Sequence, residues 1–123
     1  MSRQSGPAEI YREDLCFQAQ QAAEKSIKAV YQSKKLAFRY THNIEELLTH
    51  LERSGVVIPD QIKAASELTH YAVEARYPGL TEPVSEDEYR EAVRLAQAVV
   101  EWAGKMVEQI AKTETSNRRE PKR

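Results

Sequence analysis

Asp14-Leu15-Cys16-Phe17-Gln18-Ala19-Gln20-Gln21-Ala22-Ala23-Glu24-Lys25-Ser26-Ile27-Lys28-Ala29 is the stretch on which the fold turns. Extended on both sides, its apolar and small residues fall at Tyr11, Leu15, Cys16, Ala19, Ala22, Ala23, Ile27, Val30 and Tyr31. Steps of three and four mark one face of an α-helix. Pro7 suits a first helical turn, where its missing N–H costs nothing. The pattern predicts a helix from Ala8 to about Lys34, followed by a connection over residues 35–42.

Further along, Asn43 is a good N-cap, and Glu46 stands three residues on, the spacing of a capping box. Ile44, Leu47, Leu48 and Leu51 form one apolar face, and Gly55 takes the position just past the helix end. Val56-Val57-Ile58 would be a strand without a partner, so it reads as an apolar connector plugged into the core. Pro59 opens a third helix with a stripe at Ile62, Ala65, Leu68, Ala72 and Val73. It must end before Pro78, because a residue preceding proline is pushed out of the helical region. Residues 78–84 form a loop. Ser85 and Glu88 make a second capping box, and an apolar stripe runs from Tyr89 to Ile110. The expectation is an all-α, up-and-down helical bundle of about four helices, two long ones framing two short ones. Residues 1–7 are expected to be a disordered leader, 8–111 the helical domain, and 112–123 a disordered basic tail.

Composition narrows the function classes. The 123 residues are the size of one domain, with 41% hydrophobic and 30% charged side chains. Mean hydropathy is -0.67, and no apolar run approaches bilayer length, so no membrane partner is expected. No secretory signal is visible in the first residues. One cysteine, Cys16, cannot form an intrachain disulfide, which points to the cytoplasm and to a buried structural thiol. The net charge of -1 gives no whole-domain attraction to nucleic acid. The tail differs: Lys112, Arg118, Arg119, Lys122 and Arg123 against Glu114 and Glu120. It is either a solubilising terminus or an arm for nucleic acid or a membrane surface.

No Walker loop, GxGxxG, HExxH, CxxC or GxSxG occurs. The histidines are His42, His50 and His70. His70 and Glu74 have helical i,i+4 spacing, but two ligands without a third do not make a zinc site. No metal and no cofactor are expected. Gln21, Glu24, Lys25 and Lys28 share one side of the first helix. They form either a solvated face or the lining of a groove that binds phosphate or a partner helix. The stretch His70-Tyr71-Ala72-Val73-Glu74-Ala75-Arg76-Tyr77-Pro78 gathers Tyr71, Arg76 and Tyr77. An Arg between tyrosines can stack on a base and pair with phosphate; it can equally cap carbonyls and pair with Glu24 or Glu74.

The run Cys16-Phe17 through Ala29 resembles the "CF-x-A-Q-Q-A-A-E-K-x-x-K-A" helix of prokaryotic HEPN domains. Thr41-His42-Asn43-Ile44 with Leu47-Leu48 resembles that family's "T-H-D/N-x-x-x-L-L" helix start. Ala75-Arg76-Tyr77-Pro78 resembles its "A-R-Y-P" turn. The order also agrees, as does a long final helix with Trp102, and the likeness covers residues 11–110. The resemblance implies a helical bundle, commonly a homodimer, and pairing with a small nucleotidyltransferase in a toxin–antitoxin-like module. Many HEPN domains are ribonucleases with an Arg, four to six residues, and then a His. Here Arg39 precedes His42 by only two intervening residues, and no other pair has the spacing. The family usually carries another amphipathic helix before this one, and only about ten residues precede Tyr11 here. Either the start is placed too late or the bundle is short. If it is short, a patch near Phe17, Ala22 and the inner face of the last helix is expected to be open or used for self-association.

The reading is therefore a non-catalytic nucleotide- or partner-binding subunit, with no catalytic residue assigned. Its binding set is Gln21, Glu24, Lys25, Lys28, His42, Tyr71, Arg76 and Tyr77. The alternatives are a ribonuclease with a noncanonical Arg76/His70 or Arg39/His42 pair, and an RNA-binding module. Arg76→Ala separates a binding role from a structural one. Ligand affinity is expected to fall while the melting temperature barely moves; a parallel fall of both would make Arg76 a structural residue.

Overall fold

The computed structural model describes residues 7–38, 40–72 and 84–118. Helix α1 spans Pro7–Ser33, α2 Ile44–Arg53, α3 Asp60–Lys63 and α4 Glu86–Arg118. A 3-10 segment, Ala64–Tyr71, continues α3. The all-α bundle expected from the sequence is present, and two long helices carry the core. Buried Cys16, Ala23, Ile27 and Val30 of α1 belong to one cluster with Ala92, Leu95, Ala96, Val99 and Ala103 of α4. Two contacts fix the relative direction of the pair. Arg12 Nε donates to the Val84 carbonyl at 3.1 Å, next to the start of α4. Lys35 Nζ lies 3.7 Å from the Glu114 carboxylate, near its end. The N-terminal ends therefore meet each other, as do the C-terminal ends, and α1 and α4 run parallel. A parallel pair needs its chain carried back between them, and the connector, α2, α3 and the 3-10 segment do this.

The helix ends follow the chemistry of their caps. At α4, Ser85 Oγ accepts from the Glu88 N–H at 3.1 Å, and Glu88 Oε1 accepts from the Ser85 N–H at 2.9 Å, a complete capping box. At α2, Asn43 Oδ1 accepts from the Glu46 N–H at 3.0 Å, but the return bond is relayed. The Asn43 N–H donates to Thr41 Oγ1, and that hydroxyl donates to Glu46 Oε1. The end of α2 is a Schellman motif. The Gly55 N–H reaches the Glu52 carbonyl and the Val56 N–H the Leu51 carbonyl, with Gly55 at φ 110°. Leu51 and Val56 are both buried, and so is Ile58, while Val57 is 80% exposed. The apolar connector thus plugs two of its three side chains into the core.

Three expectations change. The third helix is one α turn followed by a 3-10 segment, not a single short α-helix. Its buried residues are Ile62, Ala65, Leu68 and Tyr71. This is a strict three-residue period, which a helix of three residues per turn keeps on one side. Tyr71 therefore takes the core position expected of Ala72; Val73 and the loop up to residue 83 lie outside the described residues. Second, α4 does not stop at residue 111 but runs to Arg118. No Gly or Pro interrupts residues 112–118, and extending an existing helix costs far less than starting one; residues 119–123 lie outside the described residues. Third, the inner face of α4 is not open. Ala92, Leu95, Ala96, Val99 and Ala103 are buried within this chain. Phe17 and Ala22 stand roughly 140° apart around α1 at 3.6 residues per turn, so they do not share a patch. Among the described residues, the exposed large hydrophobic side chains of α4 are Val93 and Val100, on its flank.

Among the described residues, no helix is long and apolar enough to cross a membrane. Gly55→Ala is expected to lower stability by about 1 kcal/mol in thermal denaturation, because a Cβ is strained in the left-handed region. The added methyl meets nothing within 4 Å, so the loss measures conformation rather than a clash.

Candidate functional site

The site is built on one side of α1 by residues four apart. Gln20, Glu24 and Lys28 stack along the helix surface, where i,i+4 side chains meet. Gln20 Nε2 donates to Glu24 Oε1 at 3.0 Å, and Lys28 Nζ donates to Glu24 Oε2 at 2.7 Å. Gln21 Nε2 donates to Gln20 Oε1 at 3.1 Å. The ladder is not a solvated face: Gln20 is fully buried and Glu24 is 4% exposed. Its cover is the connector returning from the end of α1. His42 Nδ1 stands 3.0 Å from both Glu24 oxygens, and Gln20 Nε2 also donates to the His42 carbonyl at 3.2 Å. An ionised carboxylate only accepts, so Nδ1 carries the proton in this contact.

Burial on its own raises the Glu24 carboxyl pKa. The hydrogen bonds from Lys28, His42 and Gln20, with the charge of Lys28, more than offset it, and the carboxyl sits below its ordinary value. The Lys28 ammonium also lies 5.4 Å from the Phe38 ring centre and 5.5 Å from that of Tyr40, within cation–π range. The Tyr40 ring meets the His42 ring edge-on at 5.4 Å. Tyr40 is nevertheless 86% exposed.

A cavity of about 830 Å³ opens beside the connector, with Tyr31, Phe38, Thr41, Glu45, His50 and Arg53 among its lining. The Tyr31 hydroxyl donates to the Leu47 carbonyl at 2.6 Å. Burial, aided by Glu46, pushes its pKa up to about 12, so the hydroxyl stays neutral near physiological pH and keeps its proton for the Leu47 carbonyl. Its ring stacks on His50 at 5.8 Å and meets Phe38 edge-on at 5.3 Å.

The structure thus brings together Gln21, Glu24, Lys28 and His42 of the expected binding set. Lys25 is exposed and stands apart from the network. Tyr71 is buried at the end of the 3-10 segment, its ring 4.1 Å from that of His70, on a second cavity shared with Asp87 and Glu91. Arg76, Tyr77 and Arg39 lie outside the described residues. No group of three metal-ligating side chains occurs among the described residues. Gln20, Phe38 and Tyr40 belong to the site but not to the expected set. Gln20 carries the same four-residue spacing as Glu24 and Lys28 and was legible on that ground. Phe38 and Tyr40 sit in a connector, where no periodicity marks them.

Over residues 8–107 the chain matches the HEPN domain family, and it belongs to that family. Comparison with curated proteins and with solved structures gave no match.

Removing the carboxylate strands a partly buried ammonium and leaves the connector without its anchor. Glu24→Ala is expected to cost about 3 kcal/mol in denaturant unfolding, the scale for breaking a buried ion pair. The sign of the pH effect follows from the lowered carboxyl. A group more acidic in the folded chain than in the unfolded one stabilises above its unfolded pKa, and that contribution is lost as pH falls through the folded value. Wild-type stability should drop below the ordinary carboxylate range, and Glu24→Gln should flatten that part of the profile.

Proposed function

We propose that this HEPN-family chain is a non-catalytic binding subunit, and that its partner is a small nucleotidyltransferase in a cytoplasmic toxin–antitoxin-like module. The choice of partner comes from the resemblance of its helix and turn motifs. The reading that it binds rather than cleaves draws its main support from Tyr40. An aromatic ring 86% exposed contributes little to the core. Yet it is held between the Lys28 ammonium and the His42 ring by a network rooted in a buried carboxylate. A rigid exposed aromatic with a polar tip is the side chain that anchors partner contacts, because little ordering entropy is lost on binding. The cavity beside it offers Phe38 and a mixed-charge rim of Glu45 and Arg53.

A second reading is a ribonuclease, favoured by one observation. His42 is oriented through Nδ1 by a buried carboxylate while its side chain stays 46% exposed, which suits a proton-transfer group. The two readings part experimentally. Tagged protein recovered at native expression level is expected to bring down a small nucleotidyltransferase in stoichiometric amount, as read by mass spectrometry. Tyr40→Ala is expected to reduce that recovery at least tenfold (about 1.4 kcal/mol) with stability unchanged within about 0.5 kcal/mol. Recovery of the protein alone, or with RNA, rejects the nucleotidyltransferase. RNA cleavage by the purified protein that disappears in His42→Ala but persists in Glu24→Gln, which loosens the same connector, would replace the binding reading with the nuclease.

A further inference from the structure

The cavity beside the connector is a groove along α2. Glu46, Thr49, His50 and Arg53 recur at steps of three and four, so they share one stripe of that helix. All four line the cavity, together with Phe38 and Thr41 of the connector. The walls are tied to each other, because the Thr41 hydroxyl donates to Glu46 Oε1 at 3.1 Å. The middle of the groove is aromatic: Phe38 and His50 both rest on the buried Tyr31 ring. Its two ends carry opposite charge. Glu45 and Glu46 stand in the first turn of α2 and Arg53 in the last. At 1.5 Å per helical residue, about 12 Å of helix axis separates Glu45 from Arg53. Both are exposed, and neither forms an ion pair with another described residue. Glu52, next to Arg53 in the chain, is by contrast taken by Lys63 at 2.9 Å.

We infer that this groove holds an extended segment of a partner protein, with an acidic residue at Arg53, an apolar one on Phe38 and His50, and a basic one at Glu45. The inference rests on the binding reading above, but not on the partner being a nucleotidyltransferase. Spacing carries it. An extended chain advances about 3.3 Å per residue, and alternate side chains share a face. Charges at positions i and i+4 are then about 13 Å apart, and the side chain at i+2 points the same way. That pattern matches the separation of Glu45 and Arg53 with an aromatic patch between them. Charge fixes the order, since a basic residue at Arg53 or an acidic one at Glu45 would set like charges together. A carboxylate at Arg53 can also be met by two parallel N–H donors, which fixes its orientation. A single amino acid carries both charges within one residue and meets one end only. The groove is continuous with the surface that presents Tyr40, because the Lys28 ammonium beside Tyr40 also lies 5.4 Å from the Phe38 ring centre.

The test uses the full chain and pentapeptides capped at both ends, so that only side chains are charged. Titration with acetyl-Asp-Gly-Leu-Gly-Lys-amide is expected to give saturable amide shifts at Ala37, Phe38, Thr49 and His50 in the isotope-labelled protein. Arg53→Glu should weaken that peptide at least about tenfold, the scale of one charge-assisted hydrogen bond. The same variant should bind acetyl-Lys-Gly-Leu-Gly-Lys-amide more tightly than the wild type does, a reversal that a merely structural Arg53 would not produce. Deleting the second Gly, which turns the two charges to opposite faces, should weaken binding to a similar degree. Absence of saturable shifts in the groove, or affinity indifferent to Arg53→Glu, overturns the proposal. Tighter binding of uncapped Gly-Leu-Gly would assign the groove to free peptides and also overturn it, as would displacement of the pentapeptide by adenosine monophosphate. Failure to recover a nucleotidyltransferase rejects the partner named above without touching this result. Failure of the peptides rejects the groove and leaves the Tyr40 contact standing.

Discussion

The Glu24 carboxylate is buried against its own solvation, and the cost of that position organises the chain around it. An ion taken from water loses several kcal/mol unless it is paired and its lone pairs are met. Helix α1 supplies two donors itself, Gln20 and Lys28, each four residues away. The remaining donor, His42, comes from outside the helix. To deliver it, the chain leaves α1 near Lys34 and returns to the level of Glu24, a retreat of roughly 15 Å at 1.5 Å per helical residue. That return sets the start of α2. It also places Ile44, whose N–H donates to Thr69 Oγ1 at 3.0 Å and so ties the 3-10 segment to the same corner. The chain can then enter α4 parallel to α1. No described buried side-chain nitrogen or oxygen lacks a hydrogen-bond partner, the condition under which a buried polar network orders structure rather than weakening it.

What the sequence disclosed, and what it did not, follows from the range of each interaction. Ser85 and Glu88 act over three residues within one helix start, and both expected bonds form. Asn43 and Glu46 have the same spacing, but Thr41, two residues before the cap, competes for the Asn43 N–H and relays the return bond. The ladder of Gln20, Glu24 and Lys28 is also local and legible. Its burial is not, because that depends on His42, eighteen residues from Glu24. A periodic polar face looks the same whether water or a connector covers it. The 3-10 segment shows the opposite difficulty. Ile62, Ala65 and Leu68 fit both helical periods, and only Tyr71, buried in place of Ala72, separates them. At the C-terminal end, polar composition argued for a structureless tail. Composition governs whether a segment can fold alone, whereas residues 112–118 extend a helix already nucleated.

The aromatic residues divide between the core and the connector in a way that composition could not foretell. Tyr31 is fully buried, with its hydroxyl held by the Leu47 carbonyl and its ring shielded by Phe38 and His50. It is a structural tyrosine, and its raised pKa reflects burial. Tyr40, nine residues on, has the same chemistry and the opposite circumstance. Its neighbours Lys28 and His42 are both bonded to Glu24, so the posture of an exposed ring depends on a buried charge. The carboxylate thereby links the fold to the surface. The same group that returns the connector fixes the aromatic that the connector presents.

That linkage ties the exposed Tyr40 ring to one side of the α1–α4 pair. Lys28 is spent on Glu24 and on two rings, and His42 on Glu24, so neither can be altered without loosening the connector. Tyr40 can, because its own side chain anchors nothing else. On the far side the constraint is weaker and of another kind. Val93 and Val100 touch no polar network and serve the core only in part, so apolar size alone governs them. The parallel α1–α4 pair of this chain therefore has two sides under separate control: one where a buried charge fixes the geometry, and one where apolar packing does. Changes at Val93 or Val100 lie apart from the hydrogen bonds that hold Glu24 and therefore leave the posture of Tyr40 as it is.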